Sequence, residues 1–246
     1  MLKNKVVAIT GASSGIGYAT ALCLSKNKMK IAIGARRTKK LEELKTKILK
    51  NGSEVMSQEL DVSKKQSCKS FIKNIINKWN RIDFLINNAG IMPLSFIKNL
   101  KIAEWDKMIR VNLQGTLYCT GFVIPHMMKQ KSGHIINISS VAGKIVFPAG
   151  SVYCATKHAI NAFSEGLRQE FSNKYSIKVT VIEPGLVNTE LTNTITDNSL
   201  QNFVENSKKL ISLKAEDIAN TIHFAIKSQN YANINEVLIR PISQKL

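Results

Sequence analysis

The strongest constraint on the fold is an alternation of short β-branched runs with longer amphipathic stretches. The β-branched runs predict buried strands, and they span residues 6–9, 31–33, 82–86, 134–138, 179–182 and 237–239. The stretches between them have helical periodicity, for example residues 16–26, 41–49, 64–79, 103–111, 153–175 and 215–227. Repeated strand-helix-strand units with right-handed crossovers predict a doubly wound α/β fold, with about seven parallel strands and helices on both faces.

The chain shows no internal boundary and one long excursion. No linker rich in Pro, Gly or Ser divides residues 1–246, so we predict a single domain. Residues 188–213 follow Pro184-Gly185 at the end of a strand and are rich in Thr, Asn and Ser. A long segment of this kind at a strand end is typical of a binding loop, and we expect it to form a lid over the site.

The composition favours a globular cytosolic protein. Of the 246 residues, 44% are hydrophobic, which is enough for a sizeable core. No apolar run reaches the roughly 18 residues of a membrane span, and the longest weakly polar run, 116–128, is interrupted by Pro125 and His126. Gly11 comes too early for a secretory signal. We therefore expect a cytoplasmic location and no membrane partner.

The chain has 35 Lys and Arg and 17 Asp and Glu, which gives a net charge of +18. This charge raises the alternative of a nucleic-acid or anionic-membrane partner. The lysines are scattered singly and in pairs, without a long basic run or interleaved aromatic residues. This distribution favours a solvated surface and no specific nucleic acid.

The cysteines and histidines favour neither a disulfide framework nor a metal site. The four cysteines, Cys23, Cys68, Cys119 and Cys154, are far apart and form no C-x-x-C pair. The four histidines show no i,i+4 spacing. We expect no metal cofactor.

A glycine-rich turn follows the first strand and opens a helix, with the sequence Thr10-Gly11-Ala12-Ser13-Ser14-Gly15-Ile16-Gly17. Its backbone N–H groups and the helix dipole would face an anion. Gly11 permits the tight turn, Gly15 lets the backbone approach a pyrophosphate, and Gly17 lets the helix pack close to the sheet. The pattern predicts a dinucleotide site, whereas a plain strand-to-helix turn is the alternative.

The end of the second strand indicates which dinucleotide is bound. NAD-binding units carry an acidic residue roughly 20 residues after the turn, but this strand ends Gly34-Ala35-Arg36-Arg37. An arginine can hold a 2′-phosphate with two hydrogen bonds. We predict NADP(H) in preference to NAD(H), with Arg36 as the first candidate and Arg37 as the second; solvated arginines are the alternative.

Tyr153 and Lys157 are four residues apart on a predicted helix and therefore share one face. A free tyrosine has a pKa near 10, and an ammonium beside it would lower that pKa and let the phenol act as an acid and base. The pair alone could be a half-buried tyrosine beside a solvated lysine.

These motifs, together with Asn87-Asn88-Ala89-Gly90, Asn112 and Ser140, resemble the short-chain dehydrogenase/reductase family over nearly the whole chain. The resemblance implies a Rossmann-type sheet, hydride transfer with a nicotinamide cofactor, a small-molecule carbonyl or alcohol substrate, and a homotetramer or homodimer. A non-catalytic NADP(H)-binding protein on the same scaffold is the alternative.

The resemblance also implies roles for individual residues. Tyr153 would be the general acid or base, Lys157 would lower its pKa and bind the nicotinamide ribose, and Ser140, thirteen residues before Tyr153, would orient the substrate oxygen. Asn112 would hold a water that links Lys157 to solvent, and Ser139 would be structural.

The implied cofactor contacts extend along several strand ends. Asp61 and Val62 resemble the pair at the adenine, and Asn88 resembles the residue that steadies the sheet. The full implied set is Thr10, Gly11, Ser13, Ser14, Gly15, Ile16, Gly17, Arg36, Arg37, Asp61, Val62, Asn88, Ala89, Gly90, Tyr153, Lys157, Pro184, Gly185, Val187 and Thr189. Many NADP-dependent members carry a basic residue where this chain has Ser14, so the preference for NADP rests on the two arginines.

Residues 161–170, 182–185 and 239–241 with Gln244 resemble the branch of clavulanic acid (clavaldehyde) dehydrogenase and the NADP-dependent 3-hydroxy acid dehydrogenases. This implies a small or medium aldehyde, ketone or hydroxy acid. We expect Met92, Ala142, Val146, Leu186 and the lid to form a mostly apolar substrate pocket.

Overall fold

A computed structural model describes residues 2–244, apart from the side chains of Ser207 and Lys208. The strands are β1 (Val6–Thr10), β2 (Lys30–Ala35), β3 (Val55–Glu59), β4 (Phe84–Asn87), β5 (Gly133–Ile138), β6 (Ile177–Pro184) and β7 (Glu236–Ile239). They form a seven-stranded sheet in the order β3-β2-β1-β4-β5-β6-β7, and every neighbouring pair is parallel. The predicted doubly wound α/β fold is confirmed.

Helices cover both faces of this sheet. They are α1 (Gly15–Ser25), α2 (Thr38–Lys50), α3 (Lys65–Trp79), α4 (Ile102–Met108), α5 (Gly115–Gln130), α6 (Ser151–Leu167), α7 (Asn173–Tyr175), α8 (Gln201–Lys209) and α9 (Ala215–Ile226). Within residues 2–244, no helix combines the length and the apolar character that a membrane span requires.

The two faces of strand β1 show why the sheet is buried on both sides. Val7 and Ile9 pack with apolar side chains of α1, α2 and α9, whereas Val6 and Ala8 pack with those of α3 and α5. Successive strand side chains point to opposite faces, so a strand covered on both sides must be apolar throughout. All four side chains are fully buried, and burial of one valine or isoleucine contributes about 1.5–3 kcal/mol.

Two elements were not listed from the sequence patterns, and one predicted helix differs from the structure. The weakly polar run that Pro125 interrupts is helix α5, with Pro125 inside it, and its stripe of Cys119, Val123 and Met127 packs into the core. Strand β3 lacks a β-branched run because it lies at the sheet edge and is only half-buried. The predicted helix 153–175 is not one α-helix, since a π-helical turn at Arg168–Ser172 separates α6 from α7.

A buried carboxylate joins β1 to the start of β4. Asp83 is 5% exposed and accepts hydrogen bonds from the Val6 backbone N–H (2.8 Å), Lys5 Nζ (3.0 Å) and Arg81 Nε (2.9 Å). These bonds lower the pKa of Asp83, although burial alone would raise it. The charge is therefore retained at neutral pH at the amino-terminal edge of the sheet.

The strand order places a crevice at the opposite edge. Strand β1 lies between β2 and β4, so the chain leaves β1 toward one side and later returns to the other. Ligands of doubly wound sheets bind at the carboxyl ends of the strands where this reversal occurs.

Candidate active site

A cavity of about 650 Å³ lies at the carboxyl ends of the central strands. Its lining includes nineteen of the site residues predicted from the sequence: Gly11, Ser13, Ser14, Gly15, Ile16, Arg36, Arg37, Asp61, Val62, Asn88, Ala89, Gly90, Ser140, Tyr153, Lys157, Pro184, Gly185, Val187 and Thr189. Three predicted site residues, Thr10, Gly17 and Asn112, do not line it. The volume is within the range of small-molecule and cofactor sites.

The glycine-rich turn packs directly against the loop after β4. Gly11 has a φ of +68°, and a Cβ on it would lie 2.8 Å from Ala89 Cα. A Cβ on Gly17 would lie 2.5 Å from Asn88 Nδ2 and 2.7 Å from the Gly11 carbonyl oxygen. Gly17 is therefore needed for close packing behind the turn, as predicted, although it does not face the cavity.

Thr10 connects the glycine-rich turn to the loop after β4. Its buried hydroxyl accepts hydrogen bonds from the backbone N–H groups of Asn88 (3.0 Å) and Ala89 (3.1 Å). Asn88 Nδ2 donates back to the Thr10 carbonyl oxygen at 2.9 Å and to that of Gly11 at 3.2 Å. The interpretation of Asn88 as a residue that steadies the sheet agrees with these contacts, and Thr10 positions the turn from outside the cavity.

The first turn of α1 opens onto the cavity without a side-chain cap. Ser14 is the N-cap residue, its side chain makes no capping hydrogen bond, and Ser14, Gly15 and Ile16 line the cavity. The N–H groups of a first helical turn have no intrahelical partners and carry the positive end of the helix dipole. This arrangement fits an anionic group such as a pyrophosphate.

The two arginines after β2 are in different environments. Arg37 donates to the Ser13 hydroxyl from Nε (3.1 Å), to the Ser14 hydroxyl from Nη2 (2.5 Å) and to Glu190 from Nη1 (2.6 Å). Arg36 lines the cavity as an exposed residue. The sequence analysis ranked Arg36 as the first candidate for the 2′-phosphate. In the structure, it is the guanidinium of Arg37 that hydrogen bonds hold in place.

The predicted adenine pair, Asp61 and Val62, lies along the same end of the cavity. Asp61 Oδ1 accepts hydrogen bonds from the Ser63 backbone N–H (3.1 Å) and hydroxyl (2.7 Å). The side chain is thereby held in one orientation at the cavity wall.

Tyr153 and Lys157 lie together on the face of α6 that borders the cavity. Tyr153 is 5% exposed and Lys157 is 7% exposed. Lys157 Nζ donates to the Ile138 carbonyl oxygen at 2.9 Å and lies 5.7 Å from the centroid of the Tyr153 ring. The spacing alone was also compatible with a half-buried tyrosine beside a solvated lysine. The structure excludes this alternative, because both side chains are buried.

Burial changes both pKa values in the direction that disfavours charge. It raises the pKa of Tyr153 to about 12, although the Ser140 hydroxyl beside the phenol acts in the opposite direction. It lowers the pKa of Lys157 to about 8. In the protein alone the pKa of Tyr153 is therefore raised by burial, and the lowering of that pKa by Lys157 stays a prediction.

Ser140 and Ser139 follow β5 and have different partners. Ser140 caps the short 3-10 turn Val141–Gly143 by accepting from the Ala142 backbone N–H at 3.1 Å, and its hydroxyl lies beside Tyr153. The Ser139 hydroxyl donates to the Lys157 carbonyl oxygen at 3.2 Å and so ties β5 to α6. This contact agrees with the interpretation of Ser139 as structural.

Asn112 lies behind the cavity in a π-helical turn, Ile109–Gln114, between α4 and α5. Its side chain exchanges two 2.9 Å hydrogen bonds with the backbone of Ile91 and donates to Thr156 Oγ1 at 3.3 Å. Thr156 Oγ1 in turn donates to the Tyr153 carbonyl oxygen at 2.7 Å. Asn112 thus connects α6 to the cavity wall, and its role in holding a water stays a prediction.

The segment 188–213 is more ordered than a loop rich in Thr, Asn and Ser suggests. It contains 3-10 turns at Glu190–Thr194 and Asn198–Leu200, followed by α8. Asp197 anchors it by accepting from Ser95 Oγ (2.5 Å) and Asn99 Nδ2 (2.7 Å). The Thr194 hydroxyl accepts from the Met92 backbone N–H at 2.9 Å, which places the segment across one end of the cavity.

The structure places some of the residues predicted to form the substrate pocket at the cavity and others away from it. Met92 and Leu186 line the cavity, as do Leu191, Thr192, Asn193 and Thr194 of the lid. Val146 does not line it and is 69% exposed, and Ala142 is buried with its backbone bonded to Ser140. Both belong to the segment after β5, whose irregular path could not be inferred from spacing.

Glu190 is a cavity residue that the sequence analysis did not identify. Its carboxylate pairs with Arg37 Nη1 at 2.6 Å and with Lys40 Nζ at 3.0 Å. The hydrogen bonds from Arg37 and Lys40 lower the pKa of Glu190 to about 2. The signal available in the sequence was an acidic residue directly after Thr189.

The comparisons with known proteins agree with this geometry. Residues 5–200 match the family model of the short chain dehydrogenases. The chain belongs to the short chain dehydrogenase family. It is 46% identical over 246 residues to an uncharacterized oxidoreductase of Staphylococcus saprophyticus, a match that covers 100% of this chain and 99% of that protein. The family resemblance inferred from the motifs is confirmed, and the protein is an oxidoreductase of this family.

Two solved structures show the same architecture. The closed form of serine dehydrogenase complexed with NADP⁺ superposes with a TM-score of 0.90 at 30% identity, covering 98% of this chain and 96% of that one. An alcohol dehydrogenase from the archaeon Thermococcus sibiricus, complexed with 5-hydroxy-NADP, gives a TM-score of 0.88 at 26% identity, with 99% of each chain covered.

Proposed function

We propose that this short chain dehydrogenase is an NADP(H)-dependent oxidoreductase acting on a small or medium carbonyl or alcohol substrate, which is an aldehyde, a ketone or a 3-hydroxy acid. The observation that carries the proposal is one continuous cavity with an uncapped helix N-terminus and Arg37 at one end and Tyr153, Lys157 and Ser140 at the other. Two similar structures were solved with NADP⁺ or a modified NADP.

The residues present fit a dinucleotide phosphate. The first turn of α1 would hold the pyrophosphate, and Arg37, fixed by two serine hydroxyls, would hold the 2′-phosphate with Arg36 beside it. A side chain on Gly11 would collide with Ala89, so glycine at this position lets the turn pack against the loop after β4. Asp61 and Val62 would border the adenine, and Pro184, Gly185, Val187 and Thr189 would border the nicotinamide.

Each catalytic residue has a separate task in reduction. When bound, NADPH supplies the hydride that reduces the carbonyl carbon. Tyr153 Oη holds a proton at neutral pH, because burial raises its pKa, and donates that proton to the carbonyl oxygen. The Ser140 hydroxyl donates a hydrogen bond to the same oxygen and orients it. Lys157, anchored to the Ile138 carbonyl oxygen, provides the positive charge that stabilises the phenolate left on Tyr153.

The substrate end of the cavity favours an uncharged molecule. Tyr153 packs in an apolar cluster that includes Ile91, Leu94, Met108 and Leu200. Apart from Lys157, the charged residues of the lining, Arg36, Arg37, Asp61 and Glu190, surround the predicted adenosine end. Among the three substrate classes, aldehydes and ketones therefore fit better than 3-hydroxy acids, whose carboxylate would lack an obvious cationic partner.

The remaining features of the proposal follow from the family. We propose that residues 1–246 act as one cofactor-binding domain, that the protein is a homotetramer or homodimer, and that it is cytoplasmic. The sequence resemblance to the clavaldehyde dehydrogenase and 3-hydroxy acid dehydrogenase branch supports the size of the substrate and leaves its identity open.

A panel of substrates tests the proposal. Purified protein is mixed with NADPH or NADH and with aldehydes, ketones and 3-oxo acids, and NADPH absorbance is followed; 3-hydroxy acids are tested with the oxidised cofactors. We expect turnover of uncharged carbonyls and a higher kcat/KM with NADPH than with NADH. Binding of NADPH without turnover of any compound would instead favour the non-catalytic alternative.

A further inference from the structure

Glu190 pairs with Arg37, the cation that the proposed function assigns to the cofactor's 2′-phosphate. Its two carboxylate oxygens are divided between two cations, Oε2 with Arg37 and Oε1 with Lys40. Arg37 is the cation that the Ser13 and Ser14 hydroxyls fix beside the glycine-rich turn. A carboxylate therefore neutralises the cationic site of this protein where a 2′-phosphate is expected.

A phosphate and this carboxylate cannot both keep the same partners. Arg37 uses Nε and Nη2 for the serines and Nη1 for Glu190, so the bidentate fork that a phosphate prefers is already engaged. A phosphate next to Glu190 would also meet a like charge. Because the Glu190 side chain is 44% exposed, it can leave Arg37 for water without a large desolvation change.

Glu190 also belongs to the lid. It is the first residue of the 3-10 turn Glu190–Thr194, whose last residue accepts the hydrogen bond from Met92 at the substrate end. The short turn is fixed at both ends, by ion pairs at Glu190 and by the Met92 contact at Thr194. Release of Glu190 would free one of these two attachments.

We propose that Glu190 is an exchangeable anion, which holds Arg37 and Lys40 in the free protein and is displaced by the 2′-phosphate of the cofactor. This inference rests on the proposed NADP(H) dependence. Glu190 thereby lowers the affinity for NADP⁺ below the intrinsic value of the arginine site, because only molecules with the ion pairs broken can accept the phosphate. It also links cofactor binding to the start of the lid.

The test compares the affinities of the E190Q variant and the wild type for NADP⁺ and NAD⁺ by isothermal titration calorimetry. The two cofactors differ only in the 2′-phosphate. E190Q should bind NADP⁺ about three- to tenfold more tightly than the wild type, which is the range expected from breaking two exposed ion pairs, and NAD⁺ with less than about twofold change. In hydrogen exchange of the free proteins, the peptide covering residues 190–194 should exchange faster in E190Q.

The matched control is E43Q. Glu43 lines a small recess beside Lys40 and takes part in none of the ion pairs among residues 2–244, so E43Q removes the same charge from the same region without freeing Arg37. E43Q should leave the affinities for NADP⁺ and NAD⁺ within about twofold of the wild-type values. Unchanged or weaker NADP⁺ binding by E190Q, or equal gains for NADP⁺ and NAD⁺, would overturn the inference while leaving the proposed function intact. A wild type without preference for NADP⁺ would instead contradict the proposed cofactor.

Discussion

Substitution of Gly11 by alanine tests whether the turn after β1 is shaped by its contact with the loop after β4. Gly11 and Gly52 both have left-handed backbone, with φ of +68° and +78°. A Cβ on Gly52 would meet nothing within 4 Å, whereas one on Gly11 would lie 2.8 Å from Ala89 Cα and 3.0 Å from Ala89 N. Alanine at either position therefore has the same cost of a left-handed backbone. Only alanine at Gly11 has in addition the collision with Ala89.

The magnitudes follow from these two contributions. An alanine in left-handed backbone costs about 1–2 kcal/mol, so Gly52→Ala should lower the free energy of unfolding by about that amount. Insertion of a methyl group into a packed backbone contact costs a further 1–3 kcal/mol, so Gly11→Ala should lower it by about 2–5 kcal/mol. Gly11→Ala should also weaken NADPH binding at least about tenfold, because the N–H groups of the turn are displaced, and Gly52→Ala should not.

Urea denaturation gives the two stabilities, and fluorescence titration with NADPH gives the affinities. If the two variants lose equal stability and both bind NADPH as the wild type does, the collision with Ala89 is not what sets the shape of the turn. If Gly11→Ala loses stability but binds NADPH as the wild type does, the turn is needed for packing and not for phosphate binding. This result would contradict the assignment of the turn to the cofactor.

Two further predictions concern buried charges. Burial lowers the folded-state pKa of Lys157 to about 8, below the unfolded value of about 10.4, so the buried ammonium lowers stability at neutral pH, and this effect fades as the pH rises from about 8 to 10. Lys157→Met should therefore raise the free energy of unfolding by about 1–2 kcal/mol at neutral pH, with a smaller gain near pH 10, and weaken NADPH binding; no gain in urea denaturation would contradict this. For Asp83 the folded-state pKa lies below the unfolded value, so its contribution is present at neutral pH and lost as the pH falls below about 4. Asp83→Asn should lower stability by about 1–3 kcal/mol at neutral pH and flatten the acid side of the stability profile, and a profile as steep as that of the wild type would count against it.

The sequence predicted the sheet because each strand is covered on both faces and must therefore be apolar. It named no element for α5, because the run 116–128 was considered only as a membrane span; in the structure Pro125 lies inside this helix, and Cys119, Val123 and Met127 pack into the core. Strand β3 has no β-branched run in its sequence. It is a half-buried edge strand, and such a strand does not require one.

The site residues were predictable where a local motif fixes the backbone. The turn 10–17, Ser140 and the Tyr153/Lys157 pair all lie next to the cavity or support it, as their spacing suggested. The different environments of Arg36 and Arg37 were not predictable, because the Arg37 guanidinium is held by Ser13 and Ser14 and also by Glu190, which is 153 residues away along the chain. The raised pKa of Tyr153 in the protein alone was not predictable, since spacing reveals a neighbouring charge but not the degree of burial.

The central claim is that Tyr153 transfers a proton to the substrate oxygen. Tyr153→Phe keeps the ring that packs against Leu200 and removes only the hydroxyl. With the best carbonyl substrate from the panel, kcat with NADPH should fall by about 10² to 10⁴, while the Kd for NADPH stays within about threefold of the wild-type value. A kcat within tenfold of the wild type, with the same Kd, would contradict the assignment of Tyr153 as the proton donor.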